Sequence, residues 1–76
     1  MTEIKLKAII AKQMGMTEDS VNTHARLVED LGADSLDLLD IVMSIENTFN
    51  IVIEDHEYSS ATTVDRVLTL IESKLK

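Results

Sequence analysis

Apolar residues recur along this chain at helical spacing. Between Thr2 and Met14, Leu6, Ile9, Ile10 and Met14 fall on one face of a 3.6-residue repeat, and Gly15 stands where a helix C-terminal cap is expected. Between Leu36 and Phe49, a second stripe comprises Leu38, Ile41, Val42, Ile45 and Phe49. A third begins after Thr62 or Thr63, either of which can cap its first turn, and continues through Val64, Val67, Leu68, Ile71 and Leu75. Lys74 and Lys76 suit the negative end of that helix. Residues 16–34 read as a long connection anchored by Leu27, Val28 and Leu31, and a short helical turn is expected around His56 to Ser60. No repeat, linker or low-complexity stretch divides the chain. The pattern predicts one small all-α domain over residues 1–76. It is a four-helix bundle of three main helices and one short helix, with a long loop between the first two.

The second helix is apolar on both sides. Opposite its stripe lie Leu36, Leu39 and Met43, interleaved with Asp40, Glu46 and Asn47, with Asp37 at the edge. A bundle this small cannot easily bury two faces of one helix, so the second face is expected to be wet. The plain alternative is that these residues pack beneath the long loop. As a docking surface, the apolar side chains would supply affinity, the carboxylates would steer a basic partner, and Met43 would adapt to more than one surface. Such contacts should be short-lived and salt-sensitive.

Charge strengthens the docking reading. Fourteen acidic residues against seven basic ones leave a net charge of −7, and residues 36–57 hold six acids with no lysine or arginine. A helix carrying that charge repels itself and points to a partner of opposite sign. The same balance argues against nucleic-acid binding through phosphate neutralisation and against anionic membrane surfaces. The longest apolar run is Ala8 to Ala11, too short for a membrane span or a signal-peptide core, and no Arg-rich transit segment is present, so a cytoplasmic location is expected. The absence of cysteine excludes disulfides, zinc–thiolate sites and any thiol of the chain's own. Asp34, Asp37 and Asp40 do not follow the calcium-loop spacing, because Leu39 stands at the sixth position and Ile45 at the twelfth. No metal site is expected, beyond weak divalent-cation binding as charge relief. His24 and His56 are read as solvated side chains.

Before the second helix stands Asp30-Leu31-Gly32-Ala33-Asp34-Ser35-Leu36. Gly32 permits a tight turn, and either Asp34 or Ser35 can cap the helix, so on composition alone Ser35 is an N-cap hydroxyl. Extended to Asp37, however, the segment resembles the prosthetic-group attachment motif of acyl carrier proteins, DLGxDSLD. The resemblance covers nearly the whole chain: the first helix ending at Gly15, the acidic second helix with Val42-Met43 and Phe49, and Thr62-Thr63-Val64 before the last. It is to the discrete, fatty-acid-synthesis type. The resemblance implies that Ser35 accepts 4′-phosphopantetheine, transferred from coenzyme A with magnesium by a separate holo-acyl-carrier-protein synthase. The terminal thiol of that arm would carry acyl groups as thioesters, which fits a chain with no cysteine. Ser35 would then be a modification site in a monomeric carrier that is not an enzyme. The resemblance also implies partner contacts from Asp34, Leu36, Asp37, Leu39, Asp40, Met43 and Glu46 to fatty-acid-synthesis and acyl-transfer enzymes with basic docking patches. It places the acyl chain between helices lined by aliphatic residues, and only Phe49 and Tyr58 are aromatic.

A helix N-terminus favours an exposed anion by about 0.3–1 kcal/mol, and the carboxylates of Asp34 and Asp37 oppose it on a similar scale. A free phosphopantetheine would not stay, so a covalent ester is required. The chain departs from the family pattern downstream, with Ile53-Glu54-Asp55 where Ile-Pro-Asp is common. His56-Glu57-Tyr58-Ser59-Ser60-Ala61 follows, where acids, alanines and a large aliphatic are common. Ala61 removes core volume that Tyr58 can restore from another direction, so the third helix and the pocket are where this chain should differ. Upstream, Leu27 replaces a common aromatic and Arg26 is unusual. The alternatives are a specialised carrier of polyketide or other acyl cargo, and an acidic adaptor whose Ser35 stays unmodified.

Overall fold

Four α-helices follow one another in the computed structural model, which describes residues 2–75: α1 (Thr2–Met14), α2 (Ser35–Phe49), α3 (Asp55–Ser60) and α4 (Val64–Leu75). Lys76, expected at the end of α4, lies outside the described residues. A 3-10 turn at Glu18–Ser20 sits in the long loop between α1 and α2. Two helices end in the same way. Gly15 (φ +67°) follows α1, with Met16 N–H donating to Ala11 O at 3.0 Å. Asn50 (φ 56°) follows α2, with Ile51 N–H donating to Glu46 O at 3.3 Å. Both are Schellman closures, built on the two residue types that enter the left-handed region most easily.

The core gathers one stripe from each long helix. Leu6 and Ile10 of α1, Ile45 of α2, Val64 and Ile71 of α4, and Val21 of the loop are almost wholly buried. Ile41 and Val42 complete the α2 stripe, with Leu38 and Phe49 partly buried against it. Leu75 continues the α4 spacing but is half exposed, one turn beyond the buried Ile71. Leu70, absent from the expected stripe, is partly buried in the core instead.

The long loop is anchored differently from the expectation. Leu27 is buried and Leu31 packs on the core, but Val28 is half exposed, and Val21, Ala25 and Ala33 do the anchoring. The cause is local backbone geometry. Residues 25–27 are extended against the start of α4: Leu27 N–H donates to Thr62 O (3.0 Å) and Val64 N–H to Ala25 O (3.1 Å), about a bridge between Arg26 and Thr63. Extended backbone alternates faces, so Ala25 and Leu27 point inward while Arg26 points outward, and Val28 lies exposed in the turn that follows. The same pairing caps α4. Loop carbonyls of Thr23 and Ala25 receive the N–H groups of Asp65 and Val64, and Thr63 Oγ1 accepts only a long 3.4 Å bond from Arg66 N–H.

The six acids of residues 36–57 do not share one helix. Asp37, Asp40 and Glu46 lie on α2, Glu54 precedes α3, and Asp55 and Glu57 lie on α3. Glu57 pairs with Lys74 of α4 at 2.9 Å and accepts Glu54 N–H at 2.9 Å, and these contacts hold its carboxyl below the usual range. No helix among the described residues is long and apolar enough to cross a membrane. The two ends of the α4 stripe should respond differently to truncation. In urea denaturation, Ile71→Ala should cost about 2–5 kcal/mol as a core cavity, and Leu75→Ala should stay within about 0.5 kcal/mol.

Candidate functional site

The segment from Arg26 to Gly32 is a locked turn. Asp30 accepts Arg26 N–H (2.8 Å), Nε (3.2 Å) and Nη2 (3.0 Å), and this guanidinium pairing holds the Asp30 carboxyl low. Asp30 and Leu31 N–H groups both donate to Arg26 O, and Gly32 N–H donates to Val28 O. Gly32 then reverses the chain at φ +76°, a conformation that needs glycine. Ala33 N–H donates to Leu27 O, Ala33 is buried, and Asp34 is delivered to the head of α2.

There the cap is Asp34, not Ser35. Asp34 has extended backbone, its Oδ1 accepts Asp37 N–H at 2.9 Å, and Asp37 Oδ2 accepts Asp34 N–H at 3.2 Å. This reciprocal capping box satisfies two orphan donors. Ser35 falls between them as the first helical residue. It is exposed, and its hydroxyl makes no hydrogen bond among the described residues. The N–H groups of Ser35 and Leu36 have no partner among the described residues either, so both can donate to phosphate oxygens on Ser35. The arrangement fits a phosphate ester: a free hydroxyl, open space outside it, and two unspent donors.

The outer face of α2 is wet, as its pattern predicts. Leu36 is 70% exposed, Leu39 44% and Met43 51%, with Asp34 and Asp40 exposed among them. Two acids of the expected docking set are tied into the fold. Asp37 is engaged by Asp34 N–H and by Gln13 Nε2 of α1 (3.2 Å), contacts that lower its pKa in that order of weight. Glu46 is partly buried, and its Oε2 accepts Ile53 N–H at 2.9 Å, pinning the loop after α2. The participation of Gln13 has no signal in the sequence, since it crosses from one helix to another. His24 is placed against Asp65 (3.4 Å) at the start of α4. No group of three or more His, Cys, Asp or Glu side chains among the described residues could hold a metal ion.

Behind α2 lies a small apolar cavity of about 20 Å³, walled by Leu38, Ile41 and Val42 with Tyr58, Ala61 and Leu70. A larger surface groove of about 220 Å³ runs past Val28, Ser59 and Thr62. The two share Leu27, Leu38, Tyr58 and Ala61 as walls. Ala61 is buried, Tyr58 is partly buried, and both line the cavity.

The capping assignment can be tested by stability. Asp34→Ala should cost about 1 kcal/mol, whereas Ser35→Ala should stay within about 0.5 kcal/mol; the reverse order in denaturant titrations would make Ser35 the cap. The lowered Asp37 pKa has a definite sign. Its ionised form favours the fold, so this contribution is complete above the unfolded aspartate value of about 3.9 and is lost as pH falls through the lower folded value. Thermal melts in acid should therefore fall less steeply for Asp37→Asn, with Asp30, Glu57 and Asp65, also lowered, supplying the remaining slope. Superimposable acid limbs would contradict the assignment.

Residues 5–71 match the protein family described as phosphopantetheine attachment site. Three proteins named acyl carrier protein align along almost the full length. That of Thermotoga maritima is 42% identical over 71 residues, covering 93% of this chain and 88% of its own. That of Buchnera aphidicola is 43% identical over 70 residues, covering 92% and 90%, and that of Cylindrotheca is 43% identical over 72 residues, covering 95% and 90%. With a free serine hydroxyl at the head of an acidic helix and this degree of similarity, the chain belongs to the acyl carrier protein family, whose members carry phosphopantetheine and serve as carriers rather than catalysts.

Proposed function

We propose that residues 1–76 act as one carrier domain in which Ser35 is the attachment point of 4′-phosphopantetheine. The observation that carries this reading is the exposed Ser35 hydroxyl, left unbonded because Asp34 and Asp37 cap the helix around it. When bound, the group supplies the thiol that this chain lacks, for holding acyl cargo as a thioester. Ser35 Oγ would form the new bond to phosphorus as the phosphoanhydride bond of coenzyme A breaks and adenosine 3′,5′-bisphosphate leaves. The hydroxyl proton passes to a base on the synthase, because no basic side chain among the described residues hydrogen-bonds Ser35. Two flanking carboxylates further disfavour an alkoxide formed unaided. The chain's own contribution is thus to present the oxygen, to donate the Ser35 and Leu36 N–H groups, and to be recognised.

Recognition falls to the wet face of α2. Leu36, Leu39 and Met43 give apolar anchors, and Asp34, Asp37 and Asp40 give the charge that steers basic docking patches on the holo-synthase and on fatty-acid-synthesis enzymes. Glu46 lies at the lower edge of that face with one oxygen engaged by Ile53. The apolar cavity between α2 and the Tyr58–Ala61 wall, about 20 Å³ as it stands, would have to widen between its aliphatic walls to shelter the alkyl end of the cargo from water.

Incubation with coenzyme A, magnesium and a holo-synthase should add one phosphopantetheine to the intact mass. Ser35→Ala should stay folded and gain nothing; mass gained by that variant would sink the assignment. Met43→Glu and Asp40→Lys should each raise the synthase KM by about five- to tenfold, about 1–1.4 kcal/mol of docking energy, with an unchanged melting temperature. A variant that melts like a core mutant would place that residue inside.

A further inference from the structure

Asp37 and Asp40 stand three residues apart on α2, a spacing at which like charges repel. Among the described residues, neither is paired with a lysine, arginine or histidine. Lys7 of α1 is instead engaged with Glu3. What meets both acids is the amide of Gln13, in the last turn of α1, whose Nε2 lies 3.2 Å from Asp37 Oδ1 and 3.3 Å from Asp40 Oδ2. An amide nitrogen has two hydrogens, one for each carboxylate, and the opposite orientation would aim its oxygen at two anions. Gln13 is itself only partly exposed, so its stem is held while its head reaches the acids. A lysine here would order the carboxylates and cancel charge at the same time. A neutral donor orders them and leaves the charge intact.

We infer that Gln13 is a positioning residue for docking: it holds Asp37 and Asp40 as a fixed, undischarged pair, so that a cationic partner surface meets oriented carboxylates at full charge. The inference rests on the reading of the α2 face as the docking surface. Because a mobile carboxylate must be ordered when the complex forms, an acid already held loses less side-chain freedom on binding.

Two variants test it. Gln13→Met keeps the length and loses the donors, and Gln13→Lys keeps a donor and adds a cation. Phosphopantetheine transfer from coenzyme A by a holo-synthase is followed at low and high salt, alongside thermal melts and carboxyl NMR titrations of the unmodified proteins. Gln13→Met should raise KM about threefold with kcat unchanged, Asp37 should titrate higher than in the parent chain, and the melting temperature should fall only slightly, by the stability that the lost contacts carry. Gln13→Lys should raise KM about tenfold at low salt with a shallower salt dependence, while melting at or above the parent temperature. An unaltered KM in Gln13→Met overturns the proposal, as does a lysine variant that docks as well as the parent at low salt. A lowered melting temperature with unchanged KM would mark Gln13 as merely structural and also overturn it. If the parent chain itself accepts no phosphopantetheine, the functional reading fails. The carboxyl titration still decides, independently, whether Gln13 orders the acids.

Discussion

Two carboxylates clasp the head of α2 from either side of Ser35, Asp34 receiving the N–H of Asp37 and Asp37 receiving the N–H of Asp34. A helix start leaves its first N–H groups without partners, and a serine near that start is one of the best residues to serve them. Had the helix begun one residue later, the Ser35 hydroxyl would have been drawn into the cap. With Asp34 as cap, Ser35 becomes the first helical residue and its oxygen faces outward with nothing to hold it. The acids that electrostatically oppose a phosphate are therefore the groups that make the hydroxyl available. On the proposed reading that exchange would be sustainable because the linkage would be covalent: repulsion on the scale of an exposed charge pair weakens a non-covalent ligand but does not remove an ester.

The clasp also fixes how the acidic face is organised. Asp37 is tied to Asp34 and to Gln13, and Glu46 is tied to Ile53 N–H, so α2 is anchored to α1 near its head and to the following loop near its tail. Between those ties, Leu36, Leu39, Asp40 and Met43 remain open to water. The face is thus rigid in backbone and adaptable in side chain, a combination that suits one small surface serving several partners in turn. The exposed leucines weaken nothing in the core, because Ile41, Val42 and Ile45 on the opposite side already fill it.

Much of this was legible from spacing alone. The stripes of α1, α2 and α4 declare themselves because a helix must bury one face, and Gly15 marks a stop because few other residues accept its φ. Helical periodicity fails where the backbone is not helical: residues 25–27 are extended and Val28 lies in the turn after them, so the inward positions are Ala25 and Leu27 and Val28 is exposed. It also overruns at Leu75, since a pattern carries no information about where the neighbouring element stops. The choice between Asp34 and Ser35 as cap was open in the sequence, as both residue types cap well, and only the turn closed by Arg26, Asp30 and Gly32 decides it. Gln13 and Glu46 were invisible as ties because their partners are 24 and 7 residues away, outside any local rule.

The attachment site and the walls around the cavity belong to separate parts of the fold, and the separation explains where the chain keeps to its family pattern and where it leaves it. On the proposed reading, a synthase meets only the head and outer face of α2, which depend on the turn before it and on Gln13. On the same reading the cargo would meet Leu38, Tyr58 and Ala61. The six-residue α3 is far below the length that is stable alone in water, so its position rests on the Glu57–Lys74 pair, the Glu54–Glu57 bond and the packing of Tyr58. A wall on a separate helix can change its side chains without disturbing the capping box of α2. Departures from the family pattern fall at residues 26–27 and 53–61, and Leu27, Tyr58 and Ala61 all wall the cavity, whereas Asp30 to Asp37 retains the full motif at an N-terminus whose hydrogen bonds fix its residues.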